Sequence, residues 1–273
     1  MLSIRVVFRF DLGTRQLTQN SDPACSANQT SETFALEQPS PYLSARQLLD
    51  VKQFQKRVVY EDNHLLVVDK PVCIATQGAS ANQLSLFNLA QHYVKIKYNK
   101  PGAVFLGVVS RIDYPVSGVV VFASTSKSAK RLNEQFRGHS VHKVYRALLE
   151  GTLKKDSAEL VNYICEDEQN GRLWISETPN QNKRFKPKES RLVYKTISRF
   201  PSATLVEIEL LTGRKHQIRL QFAHQSAPVV GDGKYGAQIL DQRGICLHSY
   251  KLTLSHPTQS RRLTFIAPQP VWI

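Results

Sequence analysis

The chain has 273 residues, enough for one large domain or two small ones with a buried core. Its 36 lysine and arginine residues exceed its 22 aspartate and glutamate residues, which gives a formal net charge of +14. This positive charge is spread along the chain, so a polyanion is the expected partner, nucleic acid before an anionic membrane surface. The alternative is a basic protein without a polyanionic partner.

The sequence also limits where the protein works. No stretch has the apolar length of a membrane span, and the N-terminus lacks the pattern of a secretory signal. The four cysteines lie far apart, without the close pairing that a disulfide framework or a zinc knuckle requires. We therefore expect a cytoplasmic protein that does not enter a membrane.

Residues 1–57 are predicted to form an N-terminal extension that is partly flexible. Residues 4–10 have the composition of a short strand. Residues 17–40 are rich in polar residues and have few apolar anchors, which is typical of a flexible segment. Residues 45–54 have the pattern of a short helix that leads into the body of the protein.

Residues 58–273 are predicted to be one α+β domain. A strand pair over residues 58–60 and 64–70 is followed by an amphipathic helix over residues 86–98. An unbroken apolar run predicts a buried strand over residues 118–124, and a helix follows between Thr125 and Gly138. Further strands are predicted over residues 144–149, 191–198, 204–211, 246–254 and 262–266, and a further helix over residues 215–224. Strands joined mostly by hairpins, with helices between them, indicate a mixed, largely antiparallel central sheet with flanking helices.

One turn stands out as a candidate for chemistry. Arg111 and Asp113 lie two positions apart, directly before the apolar strand. A nearby guanidinium keeps a carboxyl group ionised, and a carboxylate held on a rigid strand can act as a nucleophile. In this window alone, an ordinary surface ion pair is the more common interpretation of such a pattern.

Other polar segments exclude two kinds of site. The glycine-rich residues 228–236 lack the spacing of a P-loop, so binding of a nucleoside triphosphate is not expected. His139 and His142 have no third ligand at a metal-binding spacing, so no metal site is expected.

Five segments occur together in one order: YEDNHLLVVDKP, SRIDYPVSGVVVFA, HKVYRALLEG, LTGRKHQIRLQFAHQSAPVVGDGKYG and LHSYKLTLSHP. In these motifs the chain resembles the RluA family of pseudouridine synthases over about residues 58–257. The resemblance implies the pseudouridine synthase fold, with residues 58–273 as the catalytic domain. It also implies isomerisation of uridine within structured RNA, either rRNA or tRNA, without a cofactor or a metal.

The resemblance assigns roles to four residues. Asp113 would be the nucleophile, and Arg219 would pair with it and hold it charged. Tyr145 would stack on the uracil, and Arg111 would fill the gap that the extruded nucleotide leaves. The neighbouring cations of residues 214–215 would lie nearer to phosphates than to the chemistry.

The chain departs from the family pattern at five positions around these motifs: Cys73, Ser110, Ile112, Val116 and Gln221. The departures leave target choice and the geometry of the turn open. They support one alternative, a catalytically impaired RNA-binding relative that acts as an RNA chaperone. A carbohydrate hydrolase that uses Asp113 is a further alternative, but it would require a second carboxylate opposite the first.

Target recognition is the least determined part of the hypothesis. The S4-type RNA-binding domain that some family members carry is not recognisable in residues 1–57. Recognition is therefore expected to depend on the basic cleft and on insertions such as residues 166–187. A monomer is the expected oligomeric state.

Overall fold

The computed structural model describes residues 31–35, 44–78, 84–179, 185, 187–239 and 244–273. The strands of this part are β1 (Ser31–Ala35), β2 (Val58–Glu61), β3 (Leu65–Lys70), β4 (Gly107–Val108), β5 (Ser117–Ala123), β6 (His142–Glu150), β7 (Ser157–Asp167), β8 (Arg172–Ser176), β9 (Lys188–Arg199), β10 (Ala203–Leu210), β11 (Leu247–Ser255) and β12 (Arg262–Ile266). The α-helices are α1 (Val51–Gln55), α2 (Leu86–Lys97), α3 (Ser126–Arg137) and α4 (Gln217–His224). None of these helices is long and apolar enough to span a bilayer.

All twelve described strands belong to one sheet. Its main order is β2-β3-β5-β11-β6-β10-β9-β7-β8, with β12 also pairing with β11, β1 with β12, and β4 with β5. Among the described pairs, β5 with β11 and β1 with β12 are parallel, and the others are antiparallel. The expected mixed, largely antiparallel sheet with flanking helices is confirmed.

Side chains cap the N-termini of helices α2 and α3, and the cap at Thr125 was predicted from the sequence. The Thr125 side chain accepts a hydrogen bond from the backbone of Ser128 at the start of α3, which ends at Gly138. The side chain of Ser85 accepts from the backbone of Asn88, whose side chain accepts from the Ser85 backbone in return, and this capping box starts α2.

The structure differs from the sequence prediction at both ends of the sheet. Strand β1 lies within the segment that we expected to be flexible, so that expectation is wrong for Ser31–Ala35. The rest of residues 17–40 and the strand expected over residues 4–10 lie outside the described residues. Strands β4, β7 and β8 were not predicted, and the hairpin of β7 and β8 forms part of the expected insertion.

Apolar side chains form separate clusters on the two sides of the sheet. One cluster packs α1 and α2 against β3, and it includes Leu48 and Phe54, which precede the predicted domain boundary. A second lies beneath α4, and a third packs α3 against β5, β11 and β12. Ile112 contacts both of the first two clusters, so the turn that carries Asp113 is anchored in the core.

Candidate active site

The four residues that the sequence analysis selected line one cavity. Arg111, Asp113, Tyr145 and Arg219 come from the turn before β5, from β6 and from α4, and the structure brings all four together. The cavity has a volume of about 650 Å³. This volume lies within the usual range of a small-molecule site and suffices for a single extruded nucleotide.

The turn that carries Asp113 is held in place by backbone contacts. The Thr76 hydroxyl donates to the carbonyl of Ile112 at 2.9 Å and accepts from its N–H at 3.3 Å. The buried ammonium of Lys70 donates to the carbonyl of Tyr114 at 3.2 Å, and also to those of residues 71 and 74. Asp113 is therefore flanked on both sides by fixed backbone.

Arg219 connects Asp113 to the core through ion pairs. Its Nη1 donates to Asp113 Oδ2 at 2.9 Å, and its Nε and Nη2 donate to the two carboxylate oxygens of Asp232 at 2.7 and 2.9 Å. Burial acts to lower the pKa of Arg219, but the two carboxylates outweigh it and raise that pKa above its ordinary value. Arg219 is thus a fixed cation, and Asp113, with 28% of its side chain exposed, faces the cavity with a permanent counter-charge.

Tyr145 is a neutral phenol in this site. Burial raises its pKa to about 12; the Asp113 carboxylate acts in the same direction, and a hydrogen bond with Ser249 acts in the opposite one. A neutral aromatic ring beside a carboxylate can stack on a nucleobase. Arg111, by contrast, is exposed at the edge of the cavity.

His216 and Tyr235 extend the network, and the sequence analysis did not select either residue. The Tyr235 hydroxyl lies 2.6 Å from Nδ1 of His216, and Nε2 of His216 lies 3.7 Å from Asp113 Oδ2. Burial lowers the pKa of His216, opposed by the Asp113 carboxylate and assisted by Arg219. The neutral ring is best satisfied with its proton on Nε2, toward the carboxylate, and with Nδ1 accepting from Tyr235.

Asp232 is the third residue that the sequence analysis missed. It lies in the glycine-rich segment that was tested only as a P-loop, and its side chain is buried. The available signal was an acidic residue between two glycines, directly after an apolar pair. The ring of Tyr235, from the same segment, lies 5.0 Å from the guanidinium carbon of Arg219. This segment therefore holds Arg219 in position through Asp232 and Tyr235.

The structure shows the surroundings of four of the five positions that depart from the family pattern. The Ser110 hydroxyl accepts from the N–H of Val121 at 2.8 Å and donates to its carbonyl at 3.3 Å, which continues the pairing of β4 with β5. Cys73 has a φ of 59°, a left-handed conformation in which glycine is favoured. Val116 and Gln221 are buried, and the Gln221 amide donates to the Asn162 side chain at 2.9 Å.

Comparisons with known proteins identify the family of this chain. A family model described as RNA pseudouridylate synthase matches residues 64–224, more than half of the chain. Ribosomal large subunit pseudouridine synthase C of Vibrio vulnificus (strain CMCP6) is 32% identical over 242 residues, which cover 85% of this chain and 72% of the relative. The dual-specificity RNA pseudouridine synthase RluA of Haemophilus influenzae (strain ATCC 51907 / DSM 11121 / KW20 / Rd) is 32% identical over 216 residues, 77% of this chain and 91% of the relative.

A solved structure shares the fold. Human RNA pseudouridylate synthase domain containing 4 superposes with a TM-score of 0.70 at 21% sequence identity, covering 82% of this chain and 93% of its own. The expected pseudouridine synthase fold is confirmed by this likeness. From the family match and the identity to its relatives, the chain belongs to the RNA pseudouridylate synthase family and is an isomerase that acts on RNA.

Proposed function

We propose that the protein converts uridine in ribosomal RNA to pseudouridine with Asp113 as the nucleophile. The observation that carries the proposal is the chain of contacts from Asp232 through Arg219 to Asp113 Oδ2. Among the described contacts, the nitrogen atoms of Arg219 and His216 both approach Oδ2 of the carboxylate, which leaves Oδ1 available for the substrate. A carboxylate that is paired with a buried cation and oriented in this way is suited to nucleophilic catalysis.

The reaction breaks the bond between C1′ of the ribose and N1 of the uracil, and it forms a bond between C1′ and C5. The C5 proton leaves and N1 gains a proton, so the atoms balance without an oxidant or a second substrate. Positive charge develops at C1′ while the first bond breaks, and the Asp113 carboxylate stabilises it by attack or by electrostatic attraction. Arg219 remains the paired cation of the carboxylate throughout.

Tyr145 and Arg111 would stabilise the extruded nucleotide and the RNA that it leaves. Extrusion of a base from structured RNA costs a few kcal/mol, which stacking in the enzyme can offset. The neutral ring of Tyr145 lies beside Asp113 in the cavity and would stack on the uracil. Arg111 is exposed at the cavity edge, where its guanidinium can occupy the space that the nucleotide vacates.

Ribosomal RNA is the substrate class that the relatives favour. The Vibrio vulnificus relative is named for the large ribosomal subunit. The net charge of +14 adds a long-range attraction to any structured RNA. Because the isomerisation needs no oxidant, reductant or second substrate, the proposal includes no cofactor.

Site-resolved mapping of pseudouridine in total RNA tests the proposal. Cells that lack the gene are compared with cells rescued by the wild-type protein or by Asp113→Asn. We expect a ribosomal uridine that is modified only when the wild-type protein is present, and we expect Asp113→Asn to bind the same RNA with unchanged affinity. Modification restored by Asp113→Asn would refute the role of Asp113. An unchanged map, with RNA still bound to the purified protein, would instead support the non-catalytic RNA-binding alternative.

A further inference from the structure

A lysine lines the catalytic cavity but has no role in the chemistry described above. Lys143 precedes Tyr145 by two positions on β6, so the two side chains lie on the same face of the sheet. Both residues line the cavity that contains Asp113. A cation in this position is therefore next to the space that the uridine would occupy.

The ammonium group of Lys143 has few polar contacts with the described residues of the protein. Its ammonium donates to the carbonyl of Thr212 at 3.5 Å, the outer limit of a hydrogen bond. An ammonium has three donors, and in the described part of the chain no carboxylate lies within ion-pair distance of Lys143. A half-buried lysine with one weak acceptor has donors to spare for a ligand.

Arg214 lies beside it on the turn that leads to α4. Its Nε donates to the carbonyl of Glu189 at 2.9 Å, and the described residues offer no carboxylate partner to its guanidinium. Burial lowers the pKa of Lys143, and the charge of Arg214 lowers it further, so the two cations are close enough to repel each other. Both side chains line the same cavity.

The other cations of this region differ from this pair. Arg219 is matched by two carboxylates, and Lys215 is paired with Glu166 at 2.6 Å. Among the described cations in this part of the cavity, Lys143 and Arg214 thus form a local excess of positive charge. An anion between them would remove the repulsion and satisfy donors that the protein leaves open.

We propose that Lys143 and Arg214 form a subsite for a phosphate of the RNA strand, one that flanks the extruded uridine. The inference rests on the proposed function, because it takes the uracil to lie between Asp113 and Tyr145. An extruded nucleotide remains joined to the strand through its 5′ and 3′ phosphates, so one phosphodiester must pass close to the cavity wall. Lys143 would bind it as a point charge, and the guanidinium of Arg214 would bind it through two parallel hydrogen bonds.

Titration with small ligands tests this subsite separately from catalysis. Uridine 3′,5′-bisphosphate and uridine are titrated into the full-length protein, and binding is followed by NMR. For the wild type, we expect the bisphosphate to bind about 100-fold more tightly than the nucleoside, about tenfold for each of the two charge-assisted contacts. Titration with the 5′- and 3′-monophosphates identifies which phosphate makes the contact.

Variants assign the effect to the two cations. Lys143→Gln and, independently, Arg214→Gln should each reduce the preference for the bisphosphate about tenfold and leave the affinity for uridine unchanged. Lys143→Arg, which keeps the charge, should retain most of the preference. Lys154→Gln is the matched control, because Lys154 is exposed beyond the opposite end of β6.

Several results would overturn the subsite. They are equal binding of uridine and its bisphosphate by the wild type, absence of bisphosphate binding, and a preference that survives both glutamine variants. A protein that modifies its uridine in cells yet gives one of these results would retain the proposed function and lose the phosphate subsite. A phosphate preference in a protein that modifies no uridine would support the phosphate subsite and refute the proposed function.

Discussion

At the residue scale, the orientation of Asp113 depends on a residue that does not touch it. Arg219 has only 6% of its side chain exposed, and Asp232 holds two of its nitrogens through a bidentate contact. Asp232 therefore fixes the direction in which Nη1 points toward Asp113. We regard Asp232 as a positioning residue, because no atom of it contacts the space available to the substrate.

Replacement of Asp232 by asparagine should separate catalysis from binding. The loss of one charge frees Arg219 to rotate, and misplacement of a reacting group by about 1 Å costs about 100-fold in rate. The free energy of unfolding should also fall by about 3 kcal/mol, because a buried ion pair is broken. Single-turnover isomerisation and RNA affinity are measured at a temperature where the variant is folded, and we expect the affinity to change less than twofold.

The exposed pair of Asp156 and Arg199, at 2.7 Å, supplies the matched control. Asp156→Asn removes a carboxylate from the same type of pair at the surface, where such pairs contribute about 0–1 kcal/mol. It should leave both the rate and the stability near the wild-type values. A rate for Asp232→Asn within threefold of the wild type would show that Arg219 needs no second carboxylate.

The sequence could identify the residues of the site that belong to recognisable motifs, but not those that support them. Arg111, Asp113, Tyr145 and Arg219 were selected from the family resemblance, and the structure brings them into one cavity. Asp232 contacts Arg219 from a loop 13 positions further along the chain. Nothing in the local pattern of that loop indicates which cation it will meet, since this depends on how the loop folds back over α4.

At the element scale, the start of β5 places the turn that carries Asp113 against the centre of the sheet. Gly118 has a φ of 112° and pairs with Ser249 of the parallel strand β11. A side chain at this position would place its Cβ 2.2 Å from the carbonyl oxygen of Ser249. Only glycine allows the two strands to approach this closely.

Gly118→Ala should therefore separate β5 from β11. We expect the free energy of unfolding, measured by urea denaturation, to fall by about 3 kcal/mol or more, from steric overlap and an unfavourable φ together. Gly102→Ala is the matched control, since a Cβ there would meet no atom within 4 Å. The control should stay within about 0.5 kcal/mol of the wild type. A Gly118→Ala protein as stable as the control would mean that β5 and β11 can move apart without a loss of stability.

Two of the elements that the sequence prediction missed, β1 and β8, share a physical cause. Strand β1 is polar at three of its five positions, and it forms by backbone pairing with β12 along the register Ser31 to Arg262. Strand β8 is short and pairs with β7 along one edge. Such strands form because a partner offers unpaired backbone groups, and their own side-chain pattern carries a weak signal. Strand β5 has buried side chains at nearly every position, so its apolar run was sufficient to predict it.

At the scale of the whole molecule, the sheet has a buried histidine at its centre. His248 lies on β11, which pairs with β5 on one side and with β6 on the other. Its Nδ1 lies 2.8 Å from the hydroxyl of Ser117, at the start of β5. Only 2% of His248 is exposed, so a proton added to its ring would place a charge between the two halves of the sheet.

This histidine should make the protein sensitive to acid. Burial lowers the pKa of His248 to about 3, with the charge of Arg146 acting in the same direction and a backbone contact at Pro268 opposing it. In the unfolded chain the pKa returns to about 6.5. Between pH 6.5 and pH 3 the unfolded chain therefore binds one more proton than the folded protein, and the free energy of unfolding falls as the pH falls, by at most about 1.4 kcal/mol per pH unit.

Urea denaturation at pH 7.5, 6.5, 5.5 and 4.5 checks this expectation by comparing the wild type with His248→Gln. The variant loses stability at every pH, because its buried contacts change, but its stability should fall less steeply than that of the wild type below pH 6.5. His92→Gln provides the control, since His92 is exposed on α2 and makes no ion pair among the described contacts. If the free energy of unfolding falls with pH at the same slope in the wild type and in His248→Gln, other groups cause the acid sensitivity. A shallower profile confined to His248→Gln would mean that protonation at one point in the sheet limits the stability of the whole domain, because β11 joins the half that carries Asp113 to the half that carries Tyr145.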